Sequence, residues 1–159
     1  MKRTGMFLLI AFAAVLPQAA SATKPTREPL PFEDREFAAG EVCPFPVGME
    51  VLVNREKQLT FSDGRQQISG TLKLRLINRE TGESLVVNAS GPATVTTEGN
   101  VQTFEARGPL WFFLFPGEPG GPGMFLYKGN TTFTLDLTTG AVTSIVSRGT
   151  RRDLCAELA

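Results

Sequence analysis

Leu72-Lys73-Leu74-Arg75-Leu76 is the most regular stretch of the chain, with a leucine at every second position and a basic residue between each pair. A period of two places the three leucines on one face of a strand and Lys73 and Arg75 on the other. Thr81-Gly82 then turns the chain back, and Leu85, Val87 and Ala89 repeat the alternation with Asn88 and Ser90 opposite. Two such runs separated by a glycine turn read as an antiparallel hairpin with one apolar face.

Working outward, the same rhythm continues on both sides. Upstream, Val47, Met49, Val51 and Val53 alternate with Gly48, Glu50 and Asn54, and Leu52 breaks the rule. Leu59 and Phe61 alternate with Gln58, Thr60 and Ser62, before a strong Asp63-Gly64 turn signal. Downstream, Gly91-Pro92 interrupts the chain, Thr94 to Thr97 is short and threonine-rich, and Glu98-Gly99-Asn100 turns into a strand over 101–107. Gly108-Pro109 punctuates again before the apolar peak Leu110 to Phe115. Met124 to Tyr127 resumes a strand after the loop Pro116–Gly123, and Phe133, Leu135 and Leu137 alternate with Thr132, Thr134 and Asp136. Thr139-Gly140 leads into Val142, Ser144 and Val146 on one face, with Ala141, Thr143 and Ile145 on the other, and Gly149 ends that strand. Arg151 to Leu158 fits one or two turns of helix with Leu154, Cys155 and Leu158 facing inward.

About nine short strands with a turn signal every 8–12 residues predict an all-β fold. Consecutive tight turns favour a small antiparallel meander β-barrel of about eight or nine strands, which also removes exposed sheet edges. A β-sandwich is the alternative.

The chain has 159 residues, 16 basic and 16 acidic, with no histidine and two cysteines. The length fits one domain. A neutral balance argues against a nucleic-acid partner, which needs a basic footprint. Without histidine the commonest general base and metal ligand are missing, and neither a cysteine–histidine metal set nor a phosphate-cradling glycine motif is present, so no cofactor is expected.

Residues 1–22 read as a secretory signal peptide: Lys2 and Arg3, the apolar run Phe7 to Leu16, Pro17, then Ala20-Ser21-Ala22 before a cleavage site after Ala22. The apolar run is well short of the ~20 residues that span a bilayer, and no later stretch is long enough, so no transmembrane segment is expected after cleavage. Removing Lys2 and Arg3 leaves 14 basic against 16 acidic residues, a net charge of −2. The product is expected outside the cell. Residues 23–42, with Pro25, Pro29, Pro31 and the cluster Glu33-Asp34-Arg35-Glu36, read as an extended arm, and 43–159 as the barrel-like domain.

Cys43 and Cys155 are the only thiols, and export favours pairing them. On the chain-entropy model, closing so long a loop contributes roughly 4–5 kcal/mol. A catalytic thiol would need a base beside it, and histidine is absent.

Cys43-Pro44-Phe45-Pro46-Val47, Phe61-Ser62-Asp63-Gly64, Thr81-Gly82-Glu83, Asn88-Ala89-Ser90-Gly91 and Asp153-Leu154-Cys155-Ala156 together resemble a group of small secreted actinobacterial proteins of unknown function. The resemblance implies an exported bacterial β-domain with a cysteine near each end. It brings no activity, ligand or catalytic residue with it.

Leu110 to Phe115 is the candidate site. On a strand, Trp111, Phe113 and Phe115 share one face, and Leu110, Phe112 and Leu114 share the other, so both faces are apolar. The outer face must be covered, by the N-terminal arm or the C-terminal helix, or it must bind something. Trp111, Phe113, Phe115 and Tyr127 are therefore the candidate surface for an apolar ligand or partner. The Pro116–Gly123 loop beside them suits either a connector or a lid.

Three functional readings follow: a module that binds an apolar small molecule, a non-catalytic structural or interaction protein of the cell envelope, and an enzyme of the barrel-cyclase type. The last needs a buried carboxylate or tyrosine in a shaped cavity, with Glu50, Glu105 and Tyr127 as candidates.

Overall fold

The computed structural model describes residues 24–159, and residues 1–22, expected to be a signal peptide, lie outside the described residues. Within them the chain is all-β: β1 (Thr26–Pro29), β2 (Arg35–Phe37), β3 (Val47–Asn54), β4 (Lys57–Thr60), β5 (Gln66–Ser69), β6 (Leu72–Asn78), β7 (Ser84–Asn88), β8 (Ala93–Glu98), β9 (Val101–Leu114), β10 (Gly123–Asp136), β11 (Val142–Asp153) and the short helix α1 (Leu154–Leu158). All the pairings are antiparallel.

The expected barrel does not close. The strands form two sheets, a larger one ordered β1-β4-β5-β8-β9-β10-β11 and a smaller one ordered β2-β3-β6-β7, in a sandwich-like arrangement. The meander itself is real, but its strands are bent. β3 runs into β4, β5 into β6 and β7 into β8, each ribbon leaving one sheet for the other at a common crease. Hydrogen bonds bridge that crease: Arg55 N donates to Thr71 O at 2.8 Å, and Ala89 N to Leu72 O at 2.9 Å. A ribbon that changes sheet at mid-length cannot supply the uninterrupted wall that closure requires.

β9, β10 and β11 bend without breaking. Gly108, Gly129 and Gly149 lie side by side in register across the three strands. Gly129 has φ +127°, and a Cβ there would stand 2.3 Å from Arg148 O; at Gly149 it would stand 1.9 Å from Lys128 O. Only glycine permits both the backbone and the approach. The consequence is visible in the side chains. The register places Phe112 opposite Phe125 and Phe133 opposite Phe104. On a flat sheet the eight positions between Phe125 and Phe133 would span roughly 26 Å. Instead the Phe112 and Phe133 rings meet edge to face at 4.5 Å. The hairpin is folded over at its glycine row.

This folding buries both faces of the apolar peak. Trp111, Met124 and Leu126 join a core with Leu74, Leu76 and Val87 of the smaller sheet, together with Phe37, Leu154 and Leu158, and Phe113 and Phe115 pack against it. Phe112, Leu114, Phe125, Tyr127 and Val142 form a second core, flanked by Leu110, Phe133, Leu135 and Ile145. The expected break at Gly108-Pro109 is absent, because β9 continues through it.

Two local readings of the alternation are corrected by bulges. The β3–β6 register shifts between Val51 and Val53, so Leu52 is an extra residue. Past it the parity inverts: Gln58, not Leu59, stands opposite Ile68 and shares its face. In β11, Leu135 pairs with Val142 and Thr134 with Ser144, leaving Thr143 extra. Val142 and Ile145 therefore face the second core, while Val146 is 64% exposed.

The segment read as an arm is extended and hydrogen-bonded into the domain. Thr26–Pro29 adds an edge to β4, and Arg35–Phe37 adds an edge to β3. Cys43 and Cys155 form a disulfide with Cα atoms 5.5 Å apart, well within the usual range. It joins the approach to β3 to α1, whose start is capped by the Asp153 carboxylate accepting from Ala156 N at 3.1 Å.

Candidate functional site

The crease leaves a cavity of about 550 Å³ on its concave side. That volume lies in the range of roughly 300–1,000 Å³ found for small-molecule sites. Ile68, Ala93, Phe104, Phe133, Leu135 and Val142 line it from the larger sheet, and Leu110 and Phe112 from the folded-over part of β9. Leu30, Pro31 and Phe32, between β1 and β2, wall one side, and Leu72, Ala89 and Gly91 lie where the ribbons change sheet.

Of the residues predicted from sequence, Trp111, Phe113 and Phe115 also line this cavity. Tyr127 does not. It is buried in the second core, with its ring edge-on to Phe112 at 6.0 Å. The three aromatic residues on one face of β9 reach the cavity because β9 has a free edge there. β8 accompanies β9 only as far as Ala93 opposite Ala106, and Arg107 N donates to Pro92 O. From Gly108 to Leu114, β10 is the only strand bonded to β9 among the described residues. Gly91 passes β9 so closely that a Cβ on it would stand 2.3 Å from Pro109 O.

Of the loop Pro116–Gly123, Glu118 reaches the cavity, and its carboxylate accepts from Phe115 N at 2.6 Å and from Val142 N at 2.7 Å. One side chain thus ties the tip of the folded-over hairpin to the start of β11.

Sequence reasoning missed Glu56. It is 6% exposed, lines the cavity, and is the only buried carboxylate among the described residues. Its backbone is fixed on both sides, with its N–H donating to Asn54 Oδ1 at 3.0 Å and its carbonyl accepting from Leu30 N at 3.1 Å. Burial alone holds its carboxyl above the usual glutamate range. The signal was present in Leu52: one extra residue in β3 reverses the alternation that follows and turns Glu56 and Gln58 toward the interior. Gln58, Gln66 and Gln102 add neutral polar groups to the lining, which contains no lysine or arginine.

The three residues suggested for cyclase-type chemistry do not converge. Glu50 pairs with Arg75 at 3.3 Å in the smaller sheet, Glu105 is exposed, and Tyr127 is buried in the second core. Among the described residues no group of three His, Cys, Asp or Glu side chains could hold a metal ion, and no helix is long and apolar enough to cross a membrane. Compared with protein-family models, curated proteins and solved structures, the chain matches none. The geometry is that of a largely apolar container with a few polar groups.

Proposed function

We propose that this protein is an exported β-domain that holds an apolar small molecule in the cavity beneath the folded β9–β10 hairpin. The observation that carries the reading is the cavity itself: about 550 Å³, walled mainly by apolar and aromatic side chains, with Glu56 and three glutamines among them. Apolar walls with a few placed polar groups are the usual make-up of a small-molecule site. Export is supported by the disulfide, which oxidising compartments favour; cleavage after Ala22 is part of the proposal and is read from the signal-like pattern of residues 1–22.

The test uses the processed protein, purified from an exporting host. Native mass spectrometry followed by solvent extraction is expected to find an apolar molecule retained on the folded chain. Trp111 is the only tryptophan, so its emission reports directly on filling of the cavity. A chain that carries nothing, and whose emission and melting temperature ignore a panel of apolar compounds, overturns the reading.

A further inference from the structure

We infer that the cavity selects an apolar molecule carrying one amine, whose ammonium pairs with the Glu56 carboxylate; this rests on the ligand-holding reading above. The first ground is the placement of the Glu56 carboxyl. Glu56 is only 6% exposed, and its carboxyl has no hydrogen-bond or ion-pair partner among the described residues. A carboxylate in mainly apolar surroundings is less well hydrated than one in bulk water, and a donor brought by a ligand would favour its charged form. Trp111 Nε1 is the one fully enclosed side-chain polar atom lacking a partner among the described residues. The unpartnered Glu56 oxygens are therefore not sealed away, and Glu56 lines the open volume.

The second ground is the charge of the walls. The cavity lining contains two carboxylates, Glu56 and Glu118, and no lysine or arginine. Glu118 already accepts backbone hydrogens with both oxygens, so Glu56 is the carboxylate left to bind. An anionic head group would enter beside two acidic side chains with no cation to receive it. A hydroxyl could donate to Glu56, but an ammonium donates and also neutralises the charge, which makes a stronger bond.

Three ligands with the same twelve-carbon chain separate these cases: dodecylamine, dodecanol and dodecanoate, titrated below their aggregation limits against Trp111 emission and by calorimetry. The amine is expected to bind about tenfold more tightly than the alcohol, the difference between a charge-assisted and a neutral hydrogen bond, and the carboxylate most weakly. Glu56→Gln should bring the amine down to the alcohol while leaving the alcohol unchanged. Glu105→Gln, at an exposed position, should change neither. An amine preference that survives Glu56→Gln, or dodecanoate binding as tightly as the amine, overturns this inference and leaves the cavity reading standing. If none of the three binds, this inference falls, while the cavity reading is decided by its own retained-ligand and panel test. A thermal melt of Glu56→Gln checks its fold, which removal of a buried charge should not weaken.

Discussion

The two halves of this molecule make the same bend by different means. In the β3-to-β8 half, each ribbon bends by giving up its ladder: a bulge at Leu52, a gap between Asn54 and Lys57, and a change of sheet. In the β9–β10–β11 half, pairing continues in register through the bend, and the glycine row at 108, 129 and 149 absorbs it. The first device yields a separate second sheet. The second yields a hairpin folded onto itself, with both faces buried and a free edge turned toward the cavity. An unbroken ladder is the more demanding solution, because every residue at the crease must tolerate the close approach of its neighbours.

The largest expected effect comes from unclasping the halves. The disulfide joins the approach to β3 with the helix that follows β11. Cys43→Ser with Cys155→Ser should reduce stability by about 4 kcal/mol in urea unfolding, as expected for a cross-link closing a long loop. A loss near zero would mean that the two cores hold the halves together without it.

The next prediction separates the two bends. Gly129→Ala places a Cβ 2.3 Å from Arg148 O in the middle strand of an unbroken ladder, and should cost about 3 kcal/mol from strain and overpacking. Gly70→Ala meets Arg55 O at the same 2.3 Å. There the ladder is already interrupted and the chain can shift, so about 2 kcal/mol is expected. Gly140→Ala is the reference: its φ of +71° is strained for alanine, but nothing lies within 4 Å, and about 1 kcal/mol should be lost. Equal losses at 129 and 70 would erase the distinction between the bends.

What the sequence displayed and what it concealed follow the same division. The alternation of Leu72, Leu74 and Leu76, the Asp63-Gly64 turn and the pairing of Cys43 with Cys155 are local or near-forced signals, and each is present in the structure. The two apolar faces of Leu110 to Phe115 were legible as a problem, since a strand normally buries one face. Its solution was not, because Gly108, Gly129 and Gly149 align only when the register of three strands is known. A glycine before a proline looks like a stop from the sequence. Here it is a hinge inside a strand of 14 residues. Glu56 was hidden for a related reason: a single bulged residue inverts the face of everything after it.

A smaller effect is expected at the tip of the folded hairpin. Glu118→Ala removes the acceptor shared by Phe115 N and Val142 N. Losing these two charge-assisted bonds should cost about 2 kcal/mol. Hydrogen exchange should quicken at the amides of Phe115 and Val142 while the amides of β6 keep their protection. Unchanged exchange at Phe115 and Val142 would show that packing alone holds the hairpin down.

The smallest effect, and the one that bears most directly on the cavity, is the dependence of Glu56→Gln on pH. Burial raises the folded carboxyl above its unfolded value, so the folded chain holds this proton more firmly than the unfolded chain does. Below the unfolded value, about pH 4 for glutamate, both states are protonated and the ionisation penalty is absent. As pH rises from there, the unfolded chain releases its proton first, and the wild type loses stability relative to the glutamine variant. The loss is complete once pH passes the raised folded value. Other carboxylates titrate in both proteins and cancel in the difference. Urea unfolding across this window, without ligand, should therefore show two proteins closest in acid and Glu56→Gln progressively more stable toward neutrality. Dodecylamine should narrow that gap at neutral pH, because it supplies the charge that the folded wild type lacks. Curves that run parallel at every pH would mean that Glu56 is as well solvated in the fold as out of it, and the interrupted half would then offer the cavity no buried acid, only apolar walls and the neutral Gln58 and Gln66.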